Sequence, residues 1–165
     1  MNDLCQILLV DDNPDDYEST KRSFKKANLL NPLHWSQSGQ DALEYLHKKG
    51  KYKDDPSVVT PKLILLDLNM PGMDGRSVLQ SIKGDTQLRR LPVVVLTTSS
   101  DPRDINRCYD LGASTYIQKP VGFDGLIEAA TRLKGYWFGV AIFPEAETES
   151  RSLEDLTNAN ATGQR

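Results

Sequence analysis

Residues 63–75 have the sequence LILLDLNMPGMDG, and short apolar runs like the one at its start recur along the chain. The segment begins with four apolar residues, Leu63–Leu66, which are followed directly by Asp67. A run that is apolar at every position is typical of a strand covered on both faces, as in a parallel sheet with helices on each side. The run therefore predicts a buried strand near the middle of such a sheet, with Asp67 at its end.

Apolar runs alternate with amphipathic stretches along the chain. Besides 63–66, the strand candidates are 7–10, the weaker 33–36, 93–96 and the short 116–117. Each is followed by a stretch in which apolar residues recur at helical spacing. Five strands and five helices in strict alternation predict an α/β protein with a doubly wound, five-stranded parallel sheet and right-handed crossovers. Residues 50–62 are polar and contain two prolines, which predicts an exposed loop.

Size and composition limit the classes of function. The chain has 165 residues, which is enough for one domain. Its 20 basic and 23 acidic residues give a net charge of −3, which argues against a broad nucleic-acid-binding surface. No apolar run approaches the roughly 20 residues that span a bilayer, and the N-terminus does not resemble a secretory signal. With only two cysteines, Cys5 and Cys108, we expect a reduced, cytoplasmic protein that binds neither nucleic acid nor membranes.

The composition changes near residue 144. Residues 1–144 balance eighteen basic against eighteen acidic side chains, whereas residues 145–165 contain five acids, two arginines and few large apolar side chains. Such a segment cannot bury enough apolar surface to offset the entropy lost on ordering. We expect one domain over residues 1–144 and a disordered acidic tail over residues 145–165, too short for a DNA-binding domain. Output is then expected through contact with another protein or through relay of a phosphoryl group.

Chemically active side chains follow the predicted strands at their carboxyl ends. Asp11 and Asp12 follow the first run, Asp67 the third and Thr97 the fourth, and Lys119 comes shortly after the fifth. Because parallel strands end at the same edge of a sheet, three carboxylates, a hydroxyl and an ammonium should converge there. A lone aspartate in such a place is usually a solvated loop residue or a helix cap. Agreement among four strand ends instead predicts a functional site.

The predicted cluster has the chemistry of a metal-assisted phosphate site. Three carboxylates repel one another unless a cation lies among them. Oxygen ligands without histidine or thiolate select a hard ion, and Mg²⁺, which keeps positions for water and phosphate oxygens, is the expected one. Lys119 would supply a compact positive charge and Thr97 a hydroxyl donor for the anion. Asp67 is then the candidate nucleophile of an in-line phosphoryl transfer.

These motifs together resemble the receiver domains of bacterial response regulators. They are Val10-Asp11-Asp12, the segment 66–75, Thr97 and the segment 116–120, and the resemblance covers residues 5 to about 135 in order. It implies a flavodoxin-like sheet of order 2-1-3-4-5. It also implies a signalling protein of a two-component system rather than an enzyme, one that catalyses only its own phosphotransfer and dephosphorylation.

The same resemblance assigns the acidic residues their roles. It implies that Asp67 accepts a phosphoryl group from a histidine kinase. It implies that Asp12, Asp67 and the main-chain carbonyl of Asn69 ligate Mg²⁺, with Asp11 assisting through a water molecule.

The remaining roles concern the response to phosphorylation. The resemblance implies that Thr97 and Lys119 bind the phosphoryl group and that Tyr116 is the aromatic switch. It further implies a cis peptide bond between Lys119 and Pro120.

The C-terminal third carries a surplus of apolar side chains. Tyr136, Trp137, Phe138 and Phe143 lie beyond the last turn that the predicted helix needs. Together with the long 50–62 loop, this end resembles the single-domain regulators that partner bacterial phytochromes. Ordinary core packing and a dimer surface both account for the four rings. Since exposed apolar patches usually mark partners, we expect a homodimer built on the C-terminal third.

Two other functions fit parts of the pattern. A phosphatase of the haloacid dehalogenase type also places its nucleophile after an apolar strand, but it needs an acid two residues later, where Asn69 stands and an amide cannot donate the proton. A nucleotide-binding protein would explain the run 63–67 as a Walker B strand. Neither G-x-x-x-x-G-K-[ST] nor a strand-linked G-x-G-x-x-G occurs in the sequence.

Overall fold

The computed structural model describes residues 5–145 and contains a five-stranded parallel sheet. Its strands are β1 (Ile7–Val10), β2 (Leu33–Ser36), β3 (Leu63–Leu66), β4 (Val93–Thr97) and β5 (Thr115–Gln118). Their order is β2-β1-β3-β4-β5, and every neighbouring pair is parallel. The predicted doubly wound α/β class and the strand order 2-1-3-4-5 are therefore confirmed.

Helices cover both faces of the sheet. They are α1 (Pro14–Lys26), α2 (Gly39–His47), α3 (Gly75–Gly84), α4 (Pro102–Asp110) and α5 (Phe123–Trp137). Helices α1 and α5 pack on one face, and α2, α3 and α4 pack on the other. Since both faces are covered, the central strands lie in the interior and only the sheet edges reach the surface.

Alternate residues of the two central strands form the two halves of the core. The side chains of Leu8, Val10, Ile64 and Leu66 pack towards α2, α3 and α4. The side chains of Ile7, Leu9, Leu63 and Leu65 pack towards α1 and α5. None of these eight residues is more than 2% exposed, so a shift of register would expose apolar surface on both faces. The register pairs Val10 with Leu66, and it therefore brings the next residues, Asp11 and Asp67, to the same edge.

Helix α1 begins immediately beyond this edge. Asn13 caps it, because its side-chain oxygen accepts hydrogen bonds from the main-chain N–H groups of Asp15, at 2.8 Å, and Asp16, at 3.2 Å. Pro14 occupies the first turn, where its missing N–H costs nothing. The cap fixes the direction of the first turn, so the side chains of that turn lie beside the ends of β1 and β3.

Helix α3 starts against the end of β3. A Cβ atom added at Gly75 would lie 2.6 Å from the Leu68 Cα and closer still to the Asp67 carbonyl oxygen. Only glycine allows this approach, which keeps the 68–74 segment tight against the strand end. Asp74 caps the helix through hydrogen bonds from the N–H groups of Arg76 and Ser77.

The segment 50–62 differs from the predicted exposed loop. Residues Gly50–Tyr52 form a 3₁₀ turn, and Val58 is only 8% exposed. The Tyr52 ring meets Tyr45 edge-on at 5.0 Å between centroids and donates its hydroxyl proton to Asp41. The segment is polar in composition, but Tyr52 and Val58 anchor it to the core and Pro61 is also buried, whereas Pro56 and most of the charged side chains are exposed.

The C-terminal rings have two different environments. Trp137, Phe138 and Phe143 pack against the core formed with α1 and α5, and the Trp137 and Phe143 rings stack 6.0 Å apart. Tyr136 is 56% exposed and Ile142 is 96% exposed. Core packing therefore explains three of the four rings, whereas Tyr136 and its apolar neighbours Val140 and Ile142 are exposed.

Within residues 5–145, no helix has the length and the apolar character that crossing a bilayer requires. The predicted disordered tail, residues 145–165, lies outside the described residues except for Glu145.

Candidate metal centre

Three carboxylates meet at the carboxyl edge of the sheet. Asp11, Asp12 and Asp67 can each offer one oxygen such that the three atoms lie within 4.8 Å of one another. Asp11 is 1% exposed and Asp67 7%, whereas Asp12 is partly open to solvent. The strand-end argument thus predicted a cluster that the fold does bring together. All of its side-chain donors are carboxylate oxygens, and their combined negative charge suits a hard divalent cation such as Mg²⁺ or Mn²⁺.

Lys119 lies against this cluster. Its Nζ donates hydrogen bonds to Asp11 Oδ2 at 2.9 Å, Asp16 Oδ2 at 3.0 Å and, at the longer distance of 3.5 Å, Asp67 Oδ2. The Lys119 N–H donates to the Thr97 carbonyl at 2.6 Å, which holds the segment after β5 beside the end of β4. Burial alone would lower the pKa of Lys119, but the bond and charge of Asp11, the charge of Asp67 and the bond of Asp16 raise it above its usual value. The ammonium therefore stays charged.

The carboxylate of Asp11 is buried, and two hydrogen-bond donors, the Asn13 N–H and the Lys119 ammonium, stabilise its charged form. Burial raises its pKa, while a hydrogen bond from the Asn13 N–H, 3.0 Å long, and the ammonium of Lys119 oppose that change. On the main chain, the Asp11 carbonyl accepts a 2.7 Å hydrogen bond from Trp35 Nε1. The Trp35 ring in turn stacks on Tyr17 at 4.2 Å between centroids. Trp35 thus anchors the end of β1, a role for which the sequence carried no signal beyond its place in a weak strand.

Asn69 lies in the tight segment between β3 and α3. Its main-chain N–H points to Asp67 Oδ1 at 3.4 Å, and its side chain is exposed. The main chain of Asn69 is therefore held next to the Asp67 carboxylate.

Thr97 and Tyr116 lie on the side of the cluster towards α4. Thr97 is fully buried at the end of β4, and Tyr116 pairs with Val95 across the β4–β5 ladder. The Tyr116 ring packs partly buried against the core, and its hydroxyl donates to the Ser99 carbonyl at 2.9 Å. Ser99 is bonded in turn to Asp104, at 2.7 Å. The residues expected to bind and sense a phosphoryl group are thus joined through the short 97–99 segment.

Asp16 is the site residue that sequence reasoning missed. It comes third in α1, and it contacts Lys119 although 103 residues separate them. One signal could have revealed it: an acidic residue in the first turn of a helix that starts just beyond the acidic strand end. A groove of about 330 Å³ opens beside this pair, lined among others by Thr98, Pro120 and Phe123.

The expectation of a cis peptide bond before Pro120 is wrong. Residues 5–145 contain no cis peptide bond. The trans form is the more stable isomer before proline by about 0.5–1 kcal/mol, unless surrounding contacts select the other. With this bond in the trans form, the Lys119 ammonium lies 2.9 Å from Asp11 Oδ2 and 3.5 Å from Asp67 Oδ2.

A parallel sheet of this order, with an acidic cluster and a lysine at its carboxyl edge, defines the receivers of two-component signalling. The chain belongs to the response regulator receiver domain family, which it matches over residues 7–131. It is 35% identical to the response regulator Rcp1 of Synechocystis over 140 residues, covering 85% of this chain and 93% of that protein. It is 37% identical to the probable methanogenesis regulatory protein FilR2 of Methanothrix harundinacea over 135 residues, covering 81% and 83%.

Solved structures support the same assignment. The phosphorylated cyanobacterial phytochrome response regulator RcpA matches with a TM-score of 0.78 and 35% identity, over 86% of this chain and 99% of that one. The Mn²⁺-bound form of Rcp1 matches with a TM-score of 0.77 and 34% identity, again over 86% and 99%. The identification of the chain as a receiver domain similar to phytochrome response regulators is therefore confirmed.

Proposed function

We propose that the protein accepts a phosphoryl group from a histidine kinase on Asp67, in a Mg²⁺-dependent reaction, and passes the signal on by protein contact. The carrying observation is the position of Asp67: its carboxylate belongs to the acidic cluster and also faces the Lys119 ammonium at 3.5 Å. A nucleophile in this place has a cation site on one side and a fixed positive charge on the other. Both would stabilise the charge of a phosphoryl group in transfer.

The metal would be held by Asp12, Asp67 and the Asn69 carbonyl, with Asp11 acting through a water molecule. A bound divalent ion supplies charge neutralisation between the carboxylates and the incoming phosphate. Support comes from the all-oxygen donor set and from the relative Rcp1, which has a Mn²⁺-bound structure. The choice of Mg²⁺ belongs to the proposal.

The transfer itself needs little from the protein beyond position and charge. An Asp67 oxygen forms a bond to phosphorus as the nitrogen–phosphorus bond of a phosphohistidine breaks, and the imidazole leaves with its electron pair. Lys119 then binds the phosphoryl oxygens through its ammonium, and Thr97 through its hydroxyl. Since Thr97 and Tyr116 are linked through the 97–99 segment, a movement of Thr97 would be felt by the Tyr116 ring, the proposed switch.

A phosphatase of the haloacid dehalogenase type is the less well-supported function. Asn69 stands two residues after Asp67, and its exposed side-chain amide cannot serve as the general acid. We therefore treat the chemistry of the protein as its own phosphorylation and dephosphorylation.

The partners follow from the relatives and from the surface. The similarity to RcpA, a phytochrome response regulator, favours a phytochrome-type histidine kinase as the donor. Tyr136, Val140 and Ile142 form an exposed apolar set at the C-terminal end, which favours a homodimer through the C-terminal third. The proposal includes a cytoplasmic location, which a content of only two cysteines supports, and no binding to nucleic acid or membranes.

Acetyl phosphate with Mg²⁺ tests the proposal, with intact mass as the measurement. The wild type should gain one phosphoryl group, and Asp67→Asn or excess EDTA should abolish the gain. Asp54→Asn, which changes an exposed aspartate in the segment after α2, is the matched control and should label like the wild type. Equal labelling of Asp67→Asn and wild type would remove Asp67 as the acceptor.

A further inference from the structure

The ammonium of Lys119 donates hydrogen bonds to three carboxylates, and these bonds differ in length. The two short hydrogen bonds go to Asp11, at 2.9 Å, and Asp16, at 3.0 Å, while the bond to Asp67 is stretched to 3.5 Å. An ammonium has three protons, so these three acceptors use all of its donors. When Asp67 carries a phosphoryl group, the new oxygens can therefore bind the ammonium only if Lys119 gives up a hydrogen bond to one of these carboxylates or moves closer to Asp67.

Asp16 differs from the other two acceptors in its surroundings. Its side chain is 45% exposed, whereas that of Asp11 is 1% exposed and that of Lys119 is 12% exposed. It also lies outside the set of carboxylates that can share a cation. Breaking the hydrogen bond to Asp16 therefore costs the least free energy, since water can solvate this carboxylate when the ammonium leaves. Breaking the bond to Asp11 would leave a buried carboxylate with one partner fewer.

The position of Asp16 is set by the start of α1 rather than by Lys119. The main-chain N–H of Asp16 donates to the cap residue Asn13, and Pro14 restricts the first turn. The main chain of Asp16 is therefore held at the mouth of the site whether or not the ammonium is there. This is the arrangement expected of a fixed competitor for the lysine.

From this geometry we infer that Asp16 is a positioning residue that holds the Lys119 ammonium away from Asp67. The inference rests on the proposed function. In the unphosphorylated protein, Asp16 draws Lys119 towards α1. When Asp67 carries a phosphoryl group, the ammonium must leave Asp16 to bind the new oxygens. Asp16 thereby weakens the phosphorylated state and shortens its lifetime.

The experiment compares Asp16→Asn with Asp15→Asn. Asp15 lies in the same first turn, carries the same charge and is exposed, and its carboxylate has no hydrogen bond or ion pair to Lys119. The probes are beryllium trifluoride with Mg²⁺, which mimics a phosphoryl group on a carboxylate and is titrated by calorimetry, and phospho-Asp67, whose lifetime is followed by intact mass. Asp16→Asn should bind the mimic about three- to fivefold more tightly and keep its phosphoryl group longer by a similar factor. Asp15→Asn should stay within twofold of wild type.

A second pair of variants separates positioning from simple repulsion of phosphate by a negative charge. In the Lys119→Met background, Asp16→Asn should have no effect on either measurement, because the residue that it positions is gone. An effect of undiminished size in that background, or equal effects of Asp16→Asn and Asp15→Asn, overturns the inference and leaves the proposed function intact. A wild type that neither takes the phosphoryl group nor binds the mimic overturns the proposed function, and the inference falls with it.

Discussion

The Tyr116 hydroxyl lies 2.9 Å from the Ser99 main-chain oxygen, to which it donates a hydrogen bond. The Ser99 hydroxyl donates to Asp104, and Asp104 also accepts from the Arg76 Nε at 3.0 Å. These bonds join β5, the segment after β4, the first turn of α4 and the first turn of α3. A change at the end of β4 can therefore be transmitted to the surface between α4 and β5 without a large movement of the main chain.

Removing only the Tyr116 hydroxyl should separate this link from the phosphorylation chemistry. Tyr116→Phe keeps the ring in place but loses the bond to Ser99, so we expect stability to fall by about 1 kcal/mol. Labelling of Asp67 by acetyl phosphate should stay within twofold of wild type, since the Tyr116 hydroxyl bonds to Ser99 and not to Asp67. Amide hydrogen exchange in residues 97–101 should become faster. Tyr136→Phe, which removes an exposed hydroxyl, is the control and should change neither stability, nor labelling, nor hydrogen exchange. Loss of labelling in Tyr116→Phe would show that this hydroxyl supports the acceptor site directly.

Lys119→Met should bind Mg²⁺ more tightly than the wild type. The ammonium and the cation compete for the same carboxylates, and Met keeps most of the aliphatic stem while removing the charge. Without metal the variant should be less stable by about 2 kcal/mol, because the buried Asp11 carboxylate loses its charged partner and keeps the Asn13 N–H, and Mg²⁺ should restore part of that loss. Calorimetric titration and melting with and without EDTA measure both effects. A lower Mg²⁺ affinity in Lys119→Met would mean that the lysine organises the carboxylates rather than competing for them.

Acid should destabilise the protein through His34. Its ring stacks on Tyr45 at 3.8 Å between centroids, and within the described residues Nε2 has no hydrogen-bond partner. Burial lowers the pKa of His34 below 6.5; the charge of Asp41 opposes this change and that of Lys51 adds to it. The folded state resists a proton that the unfolded chain accepts, so the stability present above pH 6.5 is lost as the pH falls through the lowered pKa.

The test of this pH dependence is His34→Phe, which keeps the stacked ring and removes the titration. Between pH 7.5 and 5.5 the wild type should lose several degrees more of melting temperature than the variant does. His47→Gln, at the partly exposed histidine that faces Asp85 at 3.5 Å, should keep the steeper wild-type loss. An equal loss of melting temperature in wild type and His34→Phe over this pH range would contradict the role given to His34.

The two environments of the C-terminal apolar residues predict two kinds of variant. Phe143→Ala removes a ring that packs against Trp137 and Phe138, so it should lower stability by about 2 kcal/mol, less than a fully buried phenylalanine would. Val140→Ser with Ile142→Ser changes side chains that are 74% and 96% exposed, so it should leave the core packing intact and convert a dimer to monomer. Light scattering at tens of micromolar decides: a monomeric wild type, with and without beryllium trifluoride, contradicts the homodimer.

Much of this molecule was determined by the sequence alone, because the decisive features are local. Apolar runs such as Leu63–Leu66 are buried wherever the sheet forms, and a parallel sheet necessarily brings the residues that follow each strand to one edge. Asp11, Asp67 and Thr97 therefore converge without any knowledge of side-chain contacts. The residue types at that edge, all hard oxygen donors with one lysine, then define the chemistry.

Only the tertiary structure decided which partners these groups choose. Asp16 accepts a hydrogen bond from Lys119, 103 residues away, and the Trp35 side chain donates one to the Asp11 carbonyl from the neighbouring strand β2. The same is true of the C-terminal rings: Phe143 turns inward and Ile142 outward, although both follow the same helix. The local sequence shows how apolar a residue is. Which residues it contacts in space depends on how the helices and turns pack onto the sheet, and that packing depends on the whole chain.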